Sequence, residues 1–150
     1  TVTDSASNTG SSSTASGIVL NTLLAIDVTT SSVNYGTLFP NTNTGSTNQI
    51  ATTTNAGNAS TTLKLSGTAL TLDLNSITTS SQHYATSTFT FGGTEQVLSE
   101  VATAVSGFLL TSPTSTINVS KSTFWGIEVP AGTATGTYTG TNFFTAAFSP

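Results

Sequence analysis

The sequence predicts an all-β fold, a two-sheet antiparallel sandwich of immunoglobulin-like or jelly-roll type with about nine or ten strands. Apolar residues alternate with polar ones in several short runs, as on strands with one buried face. The chain has 35 Thr and 22 Ser among its 150 residues, and the branched Cβ of Thr suits a pleated surface. Gly, Pro and Asn separate the runs at short intervals. We therefore expect one domain, residues 18–150, after a polar N-terminal arm, residues 1–17, which has too little apolar surface to fold alone.

The stretch 123–148 predicts a β-hairpin that supplies much of the core. Trp125, Ile127 and Val129 alternate with polar or small residues, and Trp125 is the only tryptophan of the chain. A turn at 130–132 (Pro-Ala-Gly) ends the first strand. The second strand follows Gly136.

Seven further segments complete the predicted sandwich. Residues 95–111 are ambiguous, because their valines suit a strand but also recur at the four-residue spacing of a helix. A strand is favoured there, with a helical turn near Leu98 as the alternative. Residues 41–48 and 75–85 are expected to be loops. The other predicted strands are 18–28, 33–39, 49–54, 61–66, 70–74 and 87–91.

The charge composition excludes two classes of partner. Charged residues make up 5% of the chain, there is no Arg, and Lys64 and Lys121 are the only lysines. Nucleic acids and anionic membrane surfaces both require clustered positive charge. No apolar run reaches 18 residues, so no membrane span is expected.

The absence of Cys and Met is typical of an exported protein exposed to harsh conditions. Because the chain has few titratable groups, we also expect its stability to depend only weakly on pH.

No catalytic, cofactor-binding or metal-binding residues are expected, and the chain is not predicted to be an enzyme. His83 is the only imidazole, and it is expected to be solvated in a polar loop. Six carboxylates are scattered along the chain, with no pair brought together by spacing. Nucleophilic and glycosidic mechanisms both need paired groups, and a single histidine does not make a transition-metal site.

Two sequons predict N-glycosylation in a host that glycosylates exported proteins. They are Asn58-Ala59-Ser60 and Asn118-Val119-Ser120. Asn58 is the better candidate, because it lies in a predicted turn.

Residues 18–28 predict a strand with one almost wholly apolar face. Following a polar arm, such a strand can be donated to a neighbouring subunit, where it completes an open sheet edge. The alternative is that it forms the first strand of its own sandwich. The residues predicted to enter the acceptor are Ile18, Leu20, Leu24, Ile26 and Val28.

Three parts of the sequence carry a resemblance to known families. VPAGTATGTYTGTNFFTAAF, residues 129–148, resembles the closing strands of immunoglobulin-like domains in prokaryotic cell-surface proteins. Residues 33–67, with an Asn-x-Gly-Asn turn, resemble the early strands of such domains. The plan of the whole chain is similar to subunits of archaeal and bacterial extracellular filaments, including the TasA-like and archaeal thread or bundling-pilus groups. That resemblance implies a structural extracellular role and polymerisation by donated strands, and it transfers no catalytic residues.

The expected function is therefore a structural subunit of an extracellular filament whose partner is another copy of itself, with glycans as the other expected partner. The alternative is an adhesin or carbohydrate-binding module of a larger surface protein. Sugar sites use exposed aromatic rings, and the candidates are Tyr35, Tyr84 and Trp125.

Overall fold

The computed structural model describes residues 2–3, 9–10, 19–114 and 117–149, and these residues confirm the all-β prediction. The only helix among them is a single 3₁₀ turn, Thr79–Ser81, so the helical alternative near Leu98 is wrong. The strands are β1 (Val2–Thr3), β2 (Thr9–Gly10), β3 (Ile26–Val28), β4 (Thr42–Asn43), β5 (Gln49–Asn55), β6 (Thr61–Gly67), β7 (Leu70–Leu72), β8 (Asn75–Ile77), β9 (Gln82–Ala85), β10 (Gln96–Val97), β11 (Thr103–Leu110), β12 (Ser120–Val129) and β13 (Asn142–Phe148).

Two main sheets enclose the core. The large sheet has the order β10-β9-β12-β5-β3, with β4 pairing to the end of β12. The small sheet has the order β11-β6-β13, and β1-β2 and β7-β8 form two separate pairs. All of these pairings are antiparallel, as expected for a chain whose turns are short.

Strand β12 is the centre of the large sheet, and its alternation follows the sequence. Thr123, Trp125, Ile127 and Val129 are buried, because successive side chains of a strand point to opposite faces. Along its length β12 pairs with β5, β9 and β4. Each residue of β12 is therefore paired with at least one of these three strands.

Strand β6 has the same role in the small sheet. Leu63 and Leu65 are 1% and 0% exposed, whereas Lys64 between them is exposed. The predicted inward and outward residues of this strand are confirmed.

The core lies between the two sheets. Trp125 packs against Tyr84 of its own sheet and Phe144 of the small sheet, with ring centroids 5.5 and 5.8 Å apart. A second apolar cluster, built on Ile77, Ile127 and Val129, continues from one end. The main cluster contains Ala51, Leu63, Leu65, Tyr84, Leu98, Val105, Phe108, Leu110 and Trp125.

The prediction of a hairpin over 123–148 is wrong. Strands β12 and β13 lie in different sheets, and β13 pairs with β6. Gly132, at φ +78°, turns the chain after β12, and residues 133–141 then cross to the small sheet. The only bridge along that crossing joins Thr139 to Thr71. Alternation with a period of two residues identifies a strand but not the strand with which it pairs. The sequence therefore suggested that β12 pairs with the next strand along the chain.

Several other boundaries also differ from the prediction. Residues 33–39 and 87–91 are not strands, and of the described residues 19–28 only 26–28 form a strand. Asn34 explains one of these differences, since its side chain accepts a hydrogen bond from Gly36 N–H and forms a local turn. The predicted loop 75–85 contains β8, the 3₁₀ turn and β9. Within 95–111, the strand interpretation is confirmed for β11.

We expect Leu65→Ala to lower the free energy of unfolding by about 2–5 kcal/mol, because it removes a fully buried side chain and leaves a cavity. Lys64→Ala, at the adjacent position of the same strand, is the matched control and should change it by less than about 0.5 kcal/mol. Urea denaturation of both variants measures the difference. Equal losses would mean that β6 does not face the core as described.

Candidate functional site

The segment that leads into β3 exposes apolar side chains instead of burying them. Val19 and Leu20 are 80% and 82% exposed, Leu23 is 56% exposed and Leu24 is 37% exposed. We call residues 19–25 the N-terminal segment. It belongs to no strand, and the described part of the chain covers its four large apolar side chains only in part. Surface patches of this kind mark interaction sites.

The structure divides the predicted donor residues into two groups. Ile26 and Val28 lie in β3, which pairs with β5 of the same chain, and both are partly buried. Leu20 and Leu24 lie in the exposed N-terminal segment. Ile18 lies outside the described residues. The chain therefore uses 26–28 in its own sheet, and donation to a neighbour remains a prediction for the residues before it.

A side cleft of about 950 Å³ opens at one flank of the sandwich. Its walls are two irregular segments, 30–40 and 133–141, and its floor contains Ile77, Gln82 and Ile127. None of the described residues that line it carries a charge. Hydroxyl, amide and apolar groups make up the lining, so the cleft fits an uncharged occupant.

Strand β13 forms one margin of the same cleft through Asn142 and Phe144. Among the described strands it pairs only with β6, so its other edge has no strand beside it. It contains neither a charged residue nor a proline, and Phe143 and Phe148 are 50% and 58% exposed. Natural sheets commonly protect such an edge with charge, proline or a bulge, and β13 has none of these.

The opposite edge of the small sheet differs. Strand β11 contains a register shift between Ala104 and Leu109 in its pairing with β6. Gly107 adopts φ +68° within that irregularity. A bulge of this kind disrupts the row of backbone groups that another strand would need.

The aromatic candidates for a sugar site occupy different environments. Tyr84 and Trp125 are both 0% exposed, and Trp125 Nε1 donates to Thr123 Oγ1 at 2.9 Å. Tyr35 lines the side cleft and donates its hydroxyl to Gln82 Oε1 at 3.1 Å. Burial raises the pKa of the Tyr35 hydroxyl. Only Tyr35 of the three is therefore placed to meet a ligand, and Tyr138, which sequence reasoning did not single out, lines the same cleft.

The two predicted glycosylation sites are both exposed. Asn58 lies in the β5–β6 turn, as expected, and its side chain bonds the N-terminal segment. Asn118 lies just before β12. Exposure is compatible with modification at either position, which stays a prediction.

His83 is not solvated in a loop, contrary to the prediction. It lies in β9, where its ring stacks on Phe91 at 4.4 Å and its Nδ1 lies 3.0 Å from Glu95 Oε1. Glu95 Oε1 also accepts a hydrogen bond from Gly92 N–H at 2.6 Å. The residues are twelve apart, and only the fold of the loop 86–95 over β9 brings them together. Gly92-Gly93 before Glu95 was the one local sign of a tight loop.

This pair does not make a metal centre from the described residues. No group of three or more His, Cys, Asp or Glu side chains converges among them. Nor does the described part of the chain contain a helix long and apolar enough to cross a membrane.

Comparison with protein-family models, curated proteins and solved structures finds no match to this chain.

The Glu95 carboxyl group provides a titratable contact that holds the loop. Burial raises its pKa, but the hydrogen bonds from its own main-chain N–H, from His83 and from Gly92, together with the His83 charge, lower the pKa more. The net pKa is below the ordinary value. Because the folded pKa is depressed, Glu95 contributes stability above the unfolded pKa of about 4.3. That contribution is lost as pH falls through the folded pKa.

We therefore expect Glu95→Gln to lose less stability than the wild type when pH falls from about 6 to about 3. Melting temperature measured across this range tests the expectation. Glu100→Gln, which neutralises an exposed carboxylate five residues away, is the control and should follow the wild-type curve. If the Glu95→Gln and wild-type curves are parallel, the pair does not contribute to acid sensitivity.

Proposed function

We propose that this chain is a structural, non-catalytic subunit of an extracellular filament, in which one copy donates its N-terminal segment to the next. The observation that carries the proposal is the coexistence of exposed Val19, Leu20, Leu23 and Leu24 with an open, uncharged cleft on the same molecule. Because the donor and the acceptor are different surfaces of one chain, their contact links copies in series. Head-to-tail contacts of this kind generate open polymers when the rotation does not close.

The acceptor that we propose is the free edge of β13 together with the side cleft. The edge supplies backbone N–H and C=O groups, and the cleft supplies space for side chains. A strand of six residues, the length of 19–24, spans about 20 Å, and the seven residues of β13 span about 23 Å. The two lengths match closely enough for one donated strand to cover the edge.

The charge distribution of both surfaces favours this pairing. The residues of the N-terminal segment are uncharged, and so are the described residues that line the cleft. An isolated charge on either surface would lose its hydration without gaining a partner. Successive residues of a strand face opposite sides, so a donated strand turns either Leu20 and Leu24 or Val19 and Leu23 into the cleft. Burial of the exposed part of one such pair contributes about 2–4 kcal/mol before ordering costs, in addition to the backbone hydrogen bonds along β13.

The extracellular setting is part of the same proposal. The chain contains no Cys or Met that oxidation would damage. Its polar surface consists mainly of hydroxyl groups, and sparse charge leaves a protein prone to non-specific association. Glycans on Asn58 or Asn118, both exposed, would supply hydration that charged residues do not.

A carbohydrate-binding module is the second candidate function. The observation that favours it is the position of Tyr35 and Tyr138 in an uncharged cleft that also contains amide and hydroxyl groups. A neutral saccharide offers the complementary chemistry. The same cleft thus has two candidate occupants, which the following experiments distinguish.

Removing residues 1–25 should abolish filaments while keeping β3 in place. The truncated chain, 26–150, should remain folded by circular dichroism and bind a synthetic peptide of residues 18–25. A peptide with serine at the three leucine positions is the control and should bind more weakly, because it keeps the main chain but lacks the apolar side chains that the cleft would bury. Filaments of the truncated chain in electron micrographs would exclude strand donation. Binding of a neutral saccharide without peptide binding would favour the second function.

Thr137→Glu should weaken assembly, because it places a charge in the wall of the cleft that the donated strand would cover. We expect the critical concentration for filament formation to rise about tenfold or more, which corresponds to ~1.4 kcal/mol. Thr90→Glu adds the same charge at an exposed position outside the cleft and should leave it unchanged. Sedimentation at increasing protein concentration measures both. An unchanged value for Thr137→Glu would place the acceptor elsewhere.

A further inference from the structure

We infer that the β5–β6 turn is a binding site for extended peptide main chain, and that it stores the N-terminal segment until assembly releases it. This inference rests on the proposed function for the fate of the segment, but the site itself is defined by contacts within one chain. We call residues 55–60 the docking turn. Asn58 and Gly57 are the residues that determine its binding.

Asn58 binds the N-terminal segment as another peptide group would. Leu23 N–H donates to Asn58 Oδ1 at 2.7 Å, and Asn58 Nδ2 donates to the carbonyl of Asn21 at 2.9 Å. The main chain adds two further bonds, since Asn58 N–H donates to the Leu23 carbonyl at 3.1 Å and Ala56 N–H to the Ala25 carbonyl at 3.0 Å. All four bonds engage the main chain of the segment and none engages its side chains.

Gly57 allows the close approach that these bonds require. A Cβ added at this position would collide with the Leu23 carbonyl oxygen and would lie 2.9 Å from Ala25 N. Both are backbone atoms, so no side-chain rotation relieves the contact. The space above Gly57 is occupied by the segment itself.

Asn55 holds the docking turn in the shape that the segment meets. Its side chain is 0% exposed, and its Nδ2 donates to the carbonyls of Ala59 and Thr111 at 2.8 and 3.0 Å. Its Oδ1 accepts from Gly57 N–H at 2.9 Å. The turn is thus fixed by a buried amide and presents Gly57 and Asn58 in a set arrangement.

The stored segment gains polar contacts but little apolar burial. Val19, Leu20 and Leu23 remain more than half exposed while the main chain is bound. An exposed hydrogen bond replaces a bond to water, so its net contribution to stability is small. An acceptor that buries the same side chains also gains the free energy of removing apolar surface from water. The docking turn therefore competes with the acceptor for the segment and slows assembly without preventing it.

Gly57→Ala tests storage without altering the segment or Asn58. In the full-length chain we expect hydrogen exchange at the Leu23, Ala56 and Asn58 amides to accelerate about tenfold, since their partners separate. The lag before filament formation should shorten, because more of the segment is free. Asn58→Asp is the second variant. It keeps an acceptor for Leu23 N–H but sets an oxygen against the Asn21 carbonyl, and it should act in the same direction.

Asn118→Asp makes the same chemical change at the other sequon and should alter neither quantity. All proteins are made in a host that attaches no N-glycans, so loss of glycosylation does not contribute. Unchanged exchange in Gly57→Ala and Asn58→Asp would overturn the docking site. Faster exchange with a longer lag would overturn storage, because it would mean that the turn presents the segment in place. Failure of the proposed function is recognised separately, by filaments of the chain that lacks residues 1–25.

Discussion

The burial of Trp125 between the two sheets is the interaction on which the rest of the structure depends. Its ring contacts Tyr84 on the neighbouring strand and Phe144 on the opposite sheet. Its N–H is satisfied by Thr123, whose hydroxyl donates to the Ala51 carbonyl at 3.3 Å. Buried tryptophan N–H groups usually have such a partner, because an unpaired buried donor costs free energy. This arrangement fixes β12 against β5 and β9, and it sets the distance between the sheets.

The side cleft is a consequence of the same packing. Beyond Trp125, the inward residues of β12 are Ile127 and Val129, which belong to a smaller apolar cluster. No described strand of the small sheet covers that cluster along its whole length, and the irregular segments 30–40 and 133–141 enclose it instead. Tyr35 and Asn142 both donate to Gln82 Oε1 at 3.1 Å. Gln82 thereby joins the two walls at the base of the cleft.

Residue patterns predicted the strands that have one face in the core. Strands β6 and β12 follow their alternation, because burial on one face and solvent on the other is a local signal. The partner of β13 was not predictable in this way, since its alternation is equally compatible with β12 and β6. Strand β9 was not predicted, because glutamine is typical of exposed loops. Gln82 is buried only because Tyr35 and Asn142 donate hydrogen bonds to its side chain.

For the candidate site, the sequence predicted the apolar character of the N-terminal segment. Its main-chain contacts with Asn58 and Gly57 were not, because no side-chain pattern encodes them.

The two edges of the small sheet are unequal, and this limits how many chains can join at one site. The bulge at Gly107 leaves β11 without a regular row of backbone groups, whereas β13 keeps one. In the proposed filament, a strand added at β13 would convert the sheet from three strands to four, and the new outer strand would belong to another molecule. That strand would be the N-terminal segment, which precedes the β3 of its own domain. Each copy would then supply one donor and one acceptor, so growth by this route would be linear and directional.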